Sequence, residues 1–362
     1  MVLTKGDDYP LHQTPEPVAY AGTDRNFYDR YFFNGYQPDG SGFFAAAFGV
    51  YPHLNVADAH FSVVRDGVQH CLHASRELGM ERMDLACGPI RIEVLEPLKK
   101  LRIVVDGEGI KADLTFTGRA FPIEEPRFTH RTGPRTFMDL TRMTQNGHYA
   151  GWIEIDGIRH DLAPGAIGTR DRSWGVRPVG TRDQQPHPGG AAFTFFWQWI
   201  PVHFADRSIL YHVNQTAEGH TWSTSTVIAP DGATADDLIK VAGEMRSTLQ
   251  SGTRWPASGV LTVSGPDGPE QLEFEVLSRF QMRGIGYTSP TWGHGLYHGP
   301  LAVEREDFAL ALCDPARIDH YHVQMPCRVS SSRWGEGMGV FEQLIIGPYQ
   351  PFGLKDFNDQ AA

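Results

Sequence analysis

The sequence predicts an all-β protein of sandwich or barrel type. Six Asp-Gly pairs, the strongest short-range signal for a two-residue hairpin turn, are spread along the chain. Segments near these pairs alternate apolar and polar residues, as residues 110–117 do after Asp106. Long helical patterns are nearly absent, and the best helical candidate, residues 234–245, could itself continue into a strand. Many short antiparallel strands of this kind form sandwiches or barrels.

The length of 362 residues predicts two such β units, because one hydrophobic core seldom serves more than roughly 250–300 residues. The stretch PVGTRDQQPHPGG, residues 178–190, is rich in Pro, Gly and polar residues and is typical of a linker. We therefore expect an N-terminal β domain over residues 1–180 and a C-terminal β domain over residues 186–362. Trp-Gly pairs at 174–175 and 292–293 are a weak sign of an internal repeat.

The composition excludes some classes of partner. A formal net charge of −11, with no basic stretch, argues against a nucleic-acid surface. No apolar run approaches the roughly 20 residues that span a bilayer, and the start of the chain lacks the apolar core of a signal peptide. The cytoplasm is therefore the expected compartment. The four cysteines have no C-x-x-C spacing, so we expect buried free thiols.

A hairpin near the middle of the chain leads into its most chemically dense segment. Residues 152–155 and 158–162 flank an Asp-Gly pair and predict two strands. The run GTRDRSWG then brings Asp171, Arg172 and Trp174 together, with Arg177 just beyond it. Charged and aromatic side chains at a strand end are typical either of a ligand site or of an ion pair that holds a loop. The residues alone leave both interpretations open.

The segment AAFTFFWQWIPVHF, which follows the linker, predicts a central core strand with two buried faces. Alternation places Trp197 and Trp199 on one face and Gln198 on the other. A buried amide without a partner costs about 1–3 kcal/mol, so Gln198 either satisfies a backbone group or faces a pocket. Tyr211 and His212, on the next strand-like segment, are further candidates for ligand contact.

Histidine is plentiful, and His203, His212 and His294, which lie near aromatic residues in the second half of the chain, are candidate proton carriers. The segment TWGHGLYHG combines glycines with Trp292, His294 and Tyr297, a composition that suits either a ligand-facing loop or a tight turn. Satisfied core or surface histidines remain the alternative. No ligand set of metal-binding spacing is recognisable, and we expect neither a metal nor another cofactor.

Glu342 lies between Phe341 and Leu344 near the end of the chain, on an apolar strand-like segment. If buried, it could have a raised pKa that suits a general acid, or it could pair with an arginine such as Arg328 or Arg333. No G-x-S-x-G motif is present, which argues against serine hydrolase chemistry.

The central run GTRDRSWGVRP resembles the G-x-R-D-H-S-W-G-x-R signature of the carotenoid 1,2-hydratase and AttH-like group. The order of features is also similar, from CGPIRIEVLEPLKKLRI and GWIEIDG to a W-x-W strand after the signature, with GVFEQLIIG as a weaker match. The resemblance implies tandem lipocalin-like β-barrels, and hydratases, cyclases or lyases that work without a cofactor. Asp171, Ser173, Trp174 and Gly175 match the signature, and the likeness covers about residues 87–212.

Two departures from the signature bear on mechanism. Arg172 stands where the group has histidine, and Gln198 stands where an acidic residue is frequent. Hydration through a carbocation needs a proton donor, and arginine does not release a proton at neutral pH. With these two departures, the resemblance still implies the scaffold and a dry cavity that suits terpenoid, polyketide or aromatic ligands.

The leading hypothesis is a cofactor-independent lyase or hydratase acting on a hydrophobic small molecule. Asp171 and Glu342 are the candidate acids or bases, Arg172 or Arg177 would stabilise negative charge on oxygen, and His203 and His294 are alternative proton carriers. The aromatic and amide candidates for substrate contact are Trp174, Trp197, Gln198, Trp199, Tyr211, His212, Trp292 and Tyr297. The alternatives are a non-catalytic lipocalin-like carrier and an isomerase or cyclase. A homodimer is compatible with the sequence, without being required by it.

Overall fold

The computed structural model describes residues 3–10, 18, 22–182 and 193–362. Within these residues the regular structure consists of β-strands and short 3-10 turns, with no α-helix. A closed eight-stranded barrel and a half-barrel match tandem lipocalin-like barrels, which confirms the predicted fold class. In chain order the strands are β1 (Phe27–Tyr36), β2 (Phe44–Tyr51), β3 (Val56–Arg65), β4 (Val68–Glu77), β5 (Ala86–Cys87), β6 (Ile90–Glu96), β7 (Lys100–Gly107), β8 (Ile110–Gly118), β9 (Ile123–Glu124), β10 (Phe128–Thr132), β11 (Arg135–Ile155), β12 (Ile158–Asp161), β13 (Ile167–Val176), β14 (Phe195–His203), β15 (Arg207–Gln215), β16 (Thr221–Pro230), β17 (Ile239–Leu249), β18 (Pro256–Gly265), β19 (Gly268–Val276), β20 (Phe280–Gln281), β21 (Leu301–Ala309), β22 (Val323–Ser331) and β23 (Gly335–Ile346).

The first sheet has 14 strands in the order β21-β4-β3-β2-β1-β13-β11-β8-β7-β6-β5, with β9, β10 and β12 paired to β11. The pairs whose register is defined are antiparallel. Many neighbours in the sheet are consecutive strands joined by a hairpin or loop, but β1 pairs with β13 and β4 lies next to β21. Consequently β13, which carries the GTRDRSWG run, lies between β1 and β11 in the interior of the sheet.

Strand alternation divides this sheet into two faces. One face carries the hydrophobic core, which includes Tyr31 and Phe33 of β1 and Phe61 of β3. We call it the core face and the opposite one the outer face. On β1 the alternate residues Tyr28 and Arg30 point to the outer face, and both are buried. A sheet buried on both faces needs polar partners wherever its second face is not apolar.

The second sheet has nine strands in the order β19-β18-β17-β16-β15-β14-β23-β22-β20, with a further pairing of β19 with β22. The predicted aromatic core strand is β14, which lies between β15 and β23 and is buried over all but its first residue. The candidate helix at residues 234–245 is wrong. Residues 239–245 form the first part of β17, which continues to Leu249. Its residues alternate between half-buried and exposed, so one side of the strand supplies the apolar surface.

The hairpin predictions hold where both turn residues can adopt positive φ. Asp66 and Asp156 have φ of 49° and 51°, and each is followed by a glycine with positive φ, as a type I′ turn requires. The β7–β8 turn is displaced by two residues from Asp106. There Glu108 and Gly109 have the positive φ values, and Asp106 lies within β7.

The chain divides into two compact units. The first unit comprises residues 1–37, 42–190 and 284–308, and the second comprises residues 38–41, 191–283 and 309–362. The domain boundaries 1–180 and 186–362 stay a prediction. The units differ from them chiefly in residues 284–308, which belong to the first unit although both flanking segments belong to the second. Residues 183–190 of the predicted linker lie outside the described residues.

Candidate functional site

The arginines of the GTRDRSWG run point to the core face and are neutralised there. Arg172 forms an ion pair with Asp29 at 2.5 Å and donates from Nη2 to the Tyr9 carbonyl at 2.8 Å. Its guanidinium lies 3.8 Å from the Tyr31 ring centroid. Arg170 forms an equally buried ion pair with Asp8. These contacts favour the ion-pair interpretation of the run, with Arg172 as a structural residue of the barrel.

Asp171 has the opposite orientation from its two arginine neighbours. It pairs in register with Phe32 of β1, and therefore shares the outer face with Arg30, which pairs with Ser173. Asp171 is half-buried, as is Trp174 further along β13. The run thus sends its arginines to the core and its carboxylate to the outer face.

The outer face carries a compact group of titratable side chains, which we call the outer-face cluster: Arg30, Asp58, His60, His73, Arg177 and His294. Arg30 pairs in register with Gly49 of β2, and Gly49 pairs with Asp58 of β3. A Cβ on Gly49 would lie 2.5 Å from the Tyr51 hydroxyl and 2.9 Å from the Asp58 carboxylate, so only glycine leaves room for this contact. The small residue on β2 lets the polar groups of β1 and β3 approach each other.

Asp58 is the buried anion of the cluster. Its Oδ1 accepts a hydrogen bond from the Tyr51 hydroxyl at 3.1 Å and its Oδ2 accepts one from the Gly295 N–H at 2.7 Å. Oδ1 also lies 3.8 Å from Nε2 of His60. Burial alone would raise the pKa of Asp58, but His60, Arg30 and the Gly295 N–H together hold the pKa below its usual value. Asp58 is therefore ionised at neutral pH.

His60 and His73 face each other across β3 and β4. Their Nδ1 atoms are 2.9 Å apart, and both rings are fully buried. Burial lowers the pKa of His60 to about 4, so this imidazole is neutral at pH 7. His73 stacks on Trp292 with ring centroids 5.4 Å apart, and its Nε2 lies 3.8 Å from Glu306.

Arg30 is a buried cation, 1% exposed, with few contacts. Nη2 donates to the Ile285 carbonyl at 2.8 Å, and the guanidinium lies 5.1 Å from the Tyr287 ring centroid. Nε and Nη1 have no hydrogen-bond acceptor among the described residues. No carboxylate of the described chain comes within ion-pair distance of Arg30 either, in contrast to Arg170 and Arg172.

Arg177 and His294 are the two sequence candidates that join this cluster. Nη2 of Arg177 lies 3.0 Å from Nδ1 of His294, and Nε2 of His294 lies 3.1 Å from the Ile285 carbonyl. Arginine can only donate, so Nδ1 accepts and Nε2 carries the hydrogen. Burial and the charges of Arg30 and Arg177 hold the pKa of His294 well below its usual value. With both nitrogens engaged, neutral His294 positions Arg177.

The other two candidates of the TWGHGLYHG segment lie in different environments. Trp292 is buried, stacks on His73, and donates from Nε1 to Glu304 at 2.8 Å. Tyr297 is 55% exposed and donates its hydroxyl to Glu77 at 3.0 Å. Trp292 is thus close to the outer-face cluster, whereas the Tyr297 ring is largely in solvent.

The second unit holds its own buried polar group, centred on Glu342. This carboxylate accepts hydrogen bonds from Trp197 Nε1 at 3.0 Å and Gln324 Nε2 at 2.6 Å, and lies 2.7 Å from His322 Nε2. The expectation of a raised pKa is wrong, because His322 and the two donors outweigh burial and lower the pKa of Glu342. The predicted arginine partners bind elsewhere: Arg328 to Glu275 and Arg333 to Glu270.

The remaining candidates of the second unit lie on β14 and β15. Gln198 donates from Nε2 to Gln343 at 2.9 Å, and Gln343 donates in turn to the Arg254 carbonyl at 2.8 Å, so the buried amide is part of a hydrogen-bonded chain. The rings of Trp197 and His212 have centroids 5.7 Å apart. The other three candidates are buried aromatic or imidazole side chains: Trp199, His203 and Tyr211.

Sequence reasoning missed most of the outer-face cluster. The signal was present in VADAHFSVV, where Asp58, His60 and Ser62 alternate with small or apolar residues on one strand. Such alternation is normally interpreted as a solvent-exposed face, and only the structure places these side chains in the interior. Arg30 carried no comparable signal.

No group of three His, Cys, Asp or Glu residues suited to a metal ion is found in the described parts of the chain. Nor does any described helix have the length and apolar character needed to cross a membrane.

Comparison with known proteins adds a family and a set of structural relatives. A family model described as a family of unknown function (DUF8625) matches residues 3–355. The chain belongs to this family. Curated proteins provide no match.

Several solved structures share the fold. A Nitrosomonas europaea protein described as a candidate AttH is 13% identical with a TM-score of 0.53, over 92% of this chain and 98% of that one. CghA, solved with Sch210972, is 11% identical with a TM-score of 0.53, over 93% and 97% of the two chains. Kievitone hydratase from Nectria haematococca is 12% identical with a TM-score of 0.45, over 88% of each chain. The first two likenesses establish a shared fold, in agreement with the AttH-like resemblance of the central run.

Proposed function

We propose that this protein is a cofactor-independent lyase or hydratase that moves protons on a hydrophobic small molecule at the outer-face cluster. The observation that carries the proposal is the state of Arg30, a buried guanidinium with two nitrogens lacking acceptors and no carboxylate in ion-pair contact among the described residues. A permanent charge held in this way is costly to the fold, which is typical of a functional site rather than of a structural one.

The charge balance of the cluster favours one class of reaction. Arg30 and Arg177 bring two positive charges, while Asp58 brings one negative charge and the histidines His60 and His294 are neutral. Negative charge that develops on a carbonyl or enol oxygen beside the guanidinium groups would be stabilised. This suits eliminations, retro-aldol cleavages and hydration of a double bond conjugated to a carbonyl. It does not suit a carbocation.

A neutral imidazole next to a carboxylate can act as the base of such a reaction. His60, with its pKa of about 4, is unprotonated at pH 7 and can accept a proton from a carbon next to a carbonyl. The electron pair of that C–H bond would form the double bond of an enolate, whose oxygen faces Arg30. The hydroxyl group on the next carbon then takes the proton from the His60 imidazolium and leaves as water while the enolate electrons re-form the carbonyl, which completes an elimination. Hydration is the reverse sequence.

The substrate class follows from the surrounding aromatic side chains. Tyr28, Tyr51 and Trp292 are buried around the cluster, and Tyr287 lies against both Arg30 and Arg177. Aromatic rings with a few polar groups are typical of sites for hydrophobic small molecules. CghA, which shares the fold, was solved with Sch210972, so this fold can hold a bound compound.

Roles for the sequence candidates follow from their positions. We assign Arg177 to oxyanion stabilisation, with His294 as its positioning residue, and Asp171, on the same face as Arg30, to the edge of the site. Glu342 with His322 is a second candidate acid–base pair, belonging to the second unit. Trp174, His203 and the aromatic residues of β14 and β15 remain candidates for ligand contact.

The experiment is an incubation of the purified protein with a metabolite extract, followed by mass comparison of bound and free compounds. We expect a compound whose mass changes by one water or by loss of a carbonyl fragment.

Two variants test the assigned roles. Arg30→Gln and His60→Gln should each slow the conversion by roughly 100-fold or more, whereas Arg91→Gln, at an exposed arginine, should leave its rate unaltered. Recovery of unaltered ligand alone would replace the proposal with a carrier. An unchanged mass with altered retention would replace it with an isomerase or cyclase.

A further inference from the structure

Two histidines of the outer-face cluster, His60 and His73, contact each other through the same ring atom, Nδ1. Nδ1 of His60 and Nδ1 of His73 are 2.9 Å apart, so one hydrogen lies between them. In a pair of neutral imidazoles, each ring carries one N–H. In such a pair, with one hydrogen between the Nδ1 atoms, the other lies on one of the two Nε2 atoms, and the second Nε2 has a free lone pair.

A carboxylate lies near each end of this pair. Asp58 is 3.8 Å from Nε2 of His60, and Glu306 is 3.8 Å from Nε2 of His73. A carboxylate stabilises the tautomer whose N–H points toward it. Both distances are longer than a hydrogen bond, and neither Nε2 atom has a hydrogen-bond partner among the described residues, so each carboxylate acts on its imidazole through its charge. Because the two distances are equal, the two carboxylates favour opposite tautomers to a similar extent.

Interconversion of the tautomers moves a proton along the pair. A proton that arrives at Nε2 of His60 makes its Nδ1–H acidic, and that hydrogen passes to Nδ1 of His73. The Nε2–H of His73 is then released toward Glu306, across a 3.8 Å separation that a bridging water molecule would have to span. One proton enters and one leaves, so the number of hydrogens on the pair is unchanged.

The path leads from the interior to the surface. Asp58, His60 and His73 are almost completely buried, whereas the Glu306 side chain is 32% exposed. Trp292 stacks on His73 and holds the plane of its ring. Glu306 is thus the point on this path at which a proton can reach water.

We propose that His60, His73 and Glu306 form a proton relay that connects the Asp58 end of the outer-face cluster with solvent. In this relay His73 and Glu306 act through His60, as positioning residues. The use of the relay in turnover rests on the proposed function, but its existence does not, because it can be observed in the resting protein.

The test is nitrogen NMR of the full-length protein with isotope-labelled histidine, which reports which ring nitrogens carry hydrogen. We expect one Nε2 hydrogen in total, distributed over His60 and His73. Glu306→Gln should shift that hydrogen toward His60 by about twofold or more in population ratio, and Asp58→Asn should shift it toward His73. Glu93→Gln, which changes a glutamate of similar exposure on the same sheet, should shift nothing.

Three results would overturn the relay: hydrogen on both Nε2 atoms, hydrogen on neither, or a distribution that Glu306→Gln leaves unmoved. If Asp58→Asn does not fold, the Glu306→Gln result decides. A tautomer shift without turnover of any compound would leave the relay standing and remove the proposed function. Turnover of a compound with no tautomer shift would remove the relay and leave the proposed function standing. Once a substrate is known, Glu306→Gln should lower kcat with little change in KM.

Discussion

Two sets of buried arginines lie on opposite faces of one sheet and have opposite electrostatic environments. On the core face, Arg170 pairs with Asp8 and Arg172 pairs with Asp29. On the outer face, Arg30 has one hydrogen bond to a carbonyl and no carboxylate in ion-pair contact within the described chain. All three are fully buried. The difference therefore lies in whether the fold supplies a counter-charge.

This difference separates structural from functional charge. A paired buried arginine contributes to one defined arrangement of the barrel, and removal of either partner leaves an uncompensated charge. An arginine without a carboxylate in ion-pair contact has no direct counter-charge in the resting fold, and it can stabilise negative charge brought by a ligand or formed during a reaction. The two arginines of the central run, Arg170 and Arg172, are both paired and therefore belong to the structural set.

The largest effect is expected on the core face. Asp8→Ala leaves the Arg170 guanidinium buried without its anion and removes the acceptor of the Leu98 N–H. We expect the free energy of unfolding to fall by about 3–5 kcal/mol, measured by urea denaturation. Asp106→Ala, at an exposed carboxylate of the same unit, should change it by less than about 0.5 kcal/mol. Equal effects of the two variants would mean that the core-face pairing is not what stabilises the barrel.

The next effect concerns the neutral imidazole beside Arg30, and depends on pH. The pKa of His60 is about 4 in the folded protein and about 6.5 when unfolded, so between these values the unfolded chain binds a proton that the fold does not. Because the pKa of the His60 imidazole is lower in the folded protein than in the unfolded chain, the free energy of unfolding falls as the pH drops from about 6.5 to about 4. Between pH 6.5 and pH 4, the free energy of unfolding of the wild type, measured by urea denaturation, should fall by roughly 3 kcal/mol more than that of His60→Gln.

The control for this pH series is His53→Gln, at an exposed histidine, which should follow the wild type closely. A wild-type curve parallel to that of His60→Gln would mean that His60 is protonated in the fold. The outer face would then carry even more positive charge than the comparison assumes.

A third effect tests whether a buried carboxylate needs an arginine at all. Glu342 is stabilised by His322, Gln324 and Trp197, which lower its pKa below the ordinary value of about 4.3. Glu342→Gln should lower the free energy of unfolding by about 1–3 kcal/mol at pH 7, because an amide cannot accept from all three donors. Since the folded pKa is depressed, this difference is fully present above about pH 4.3 and shrinks as the pH falls below it. A difference that is constant down to pH 3 would contradict the assignment.

The sequence predicted the fold well because the fold depends on local signals. Asp-Gly turns and period-two alternation specify strands without reference to the rest of the chain, as at Asp66 and Asp156. The outer-face cluster depends on register instead. Arg30, Asp58 and His60 become neighbours only when β1, β2 and β3 are aligned, and residues 284–308 reach the first unit from between two segments of the second. No pattern within one strand encodes that proximity.

The variant with the smallest expected change in stability gives the clearest contrast between the core face and the outer face. Arg30→Met removes a buried charge that lacks a carboxylate, so the free energy of unfolding should stay constant or rise by about 1 kcal/mol. Arg172→Met, the matched change on the core face, leaves Asp29 buried alone and should lower it by about 3–5 kcal/mol. Urea denaturation of both variants measures the contrast. If Arg30→Met loses as much stability as Arg172→Met, Arg30 has a structural partner in solution, and its excess charge no longer supports a reaction through an oxyanion.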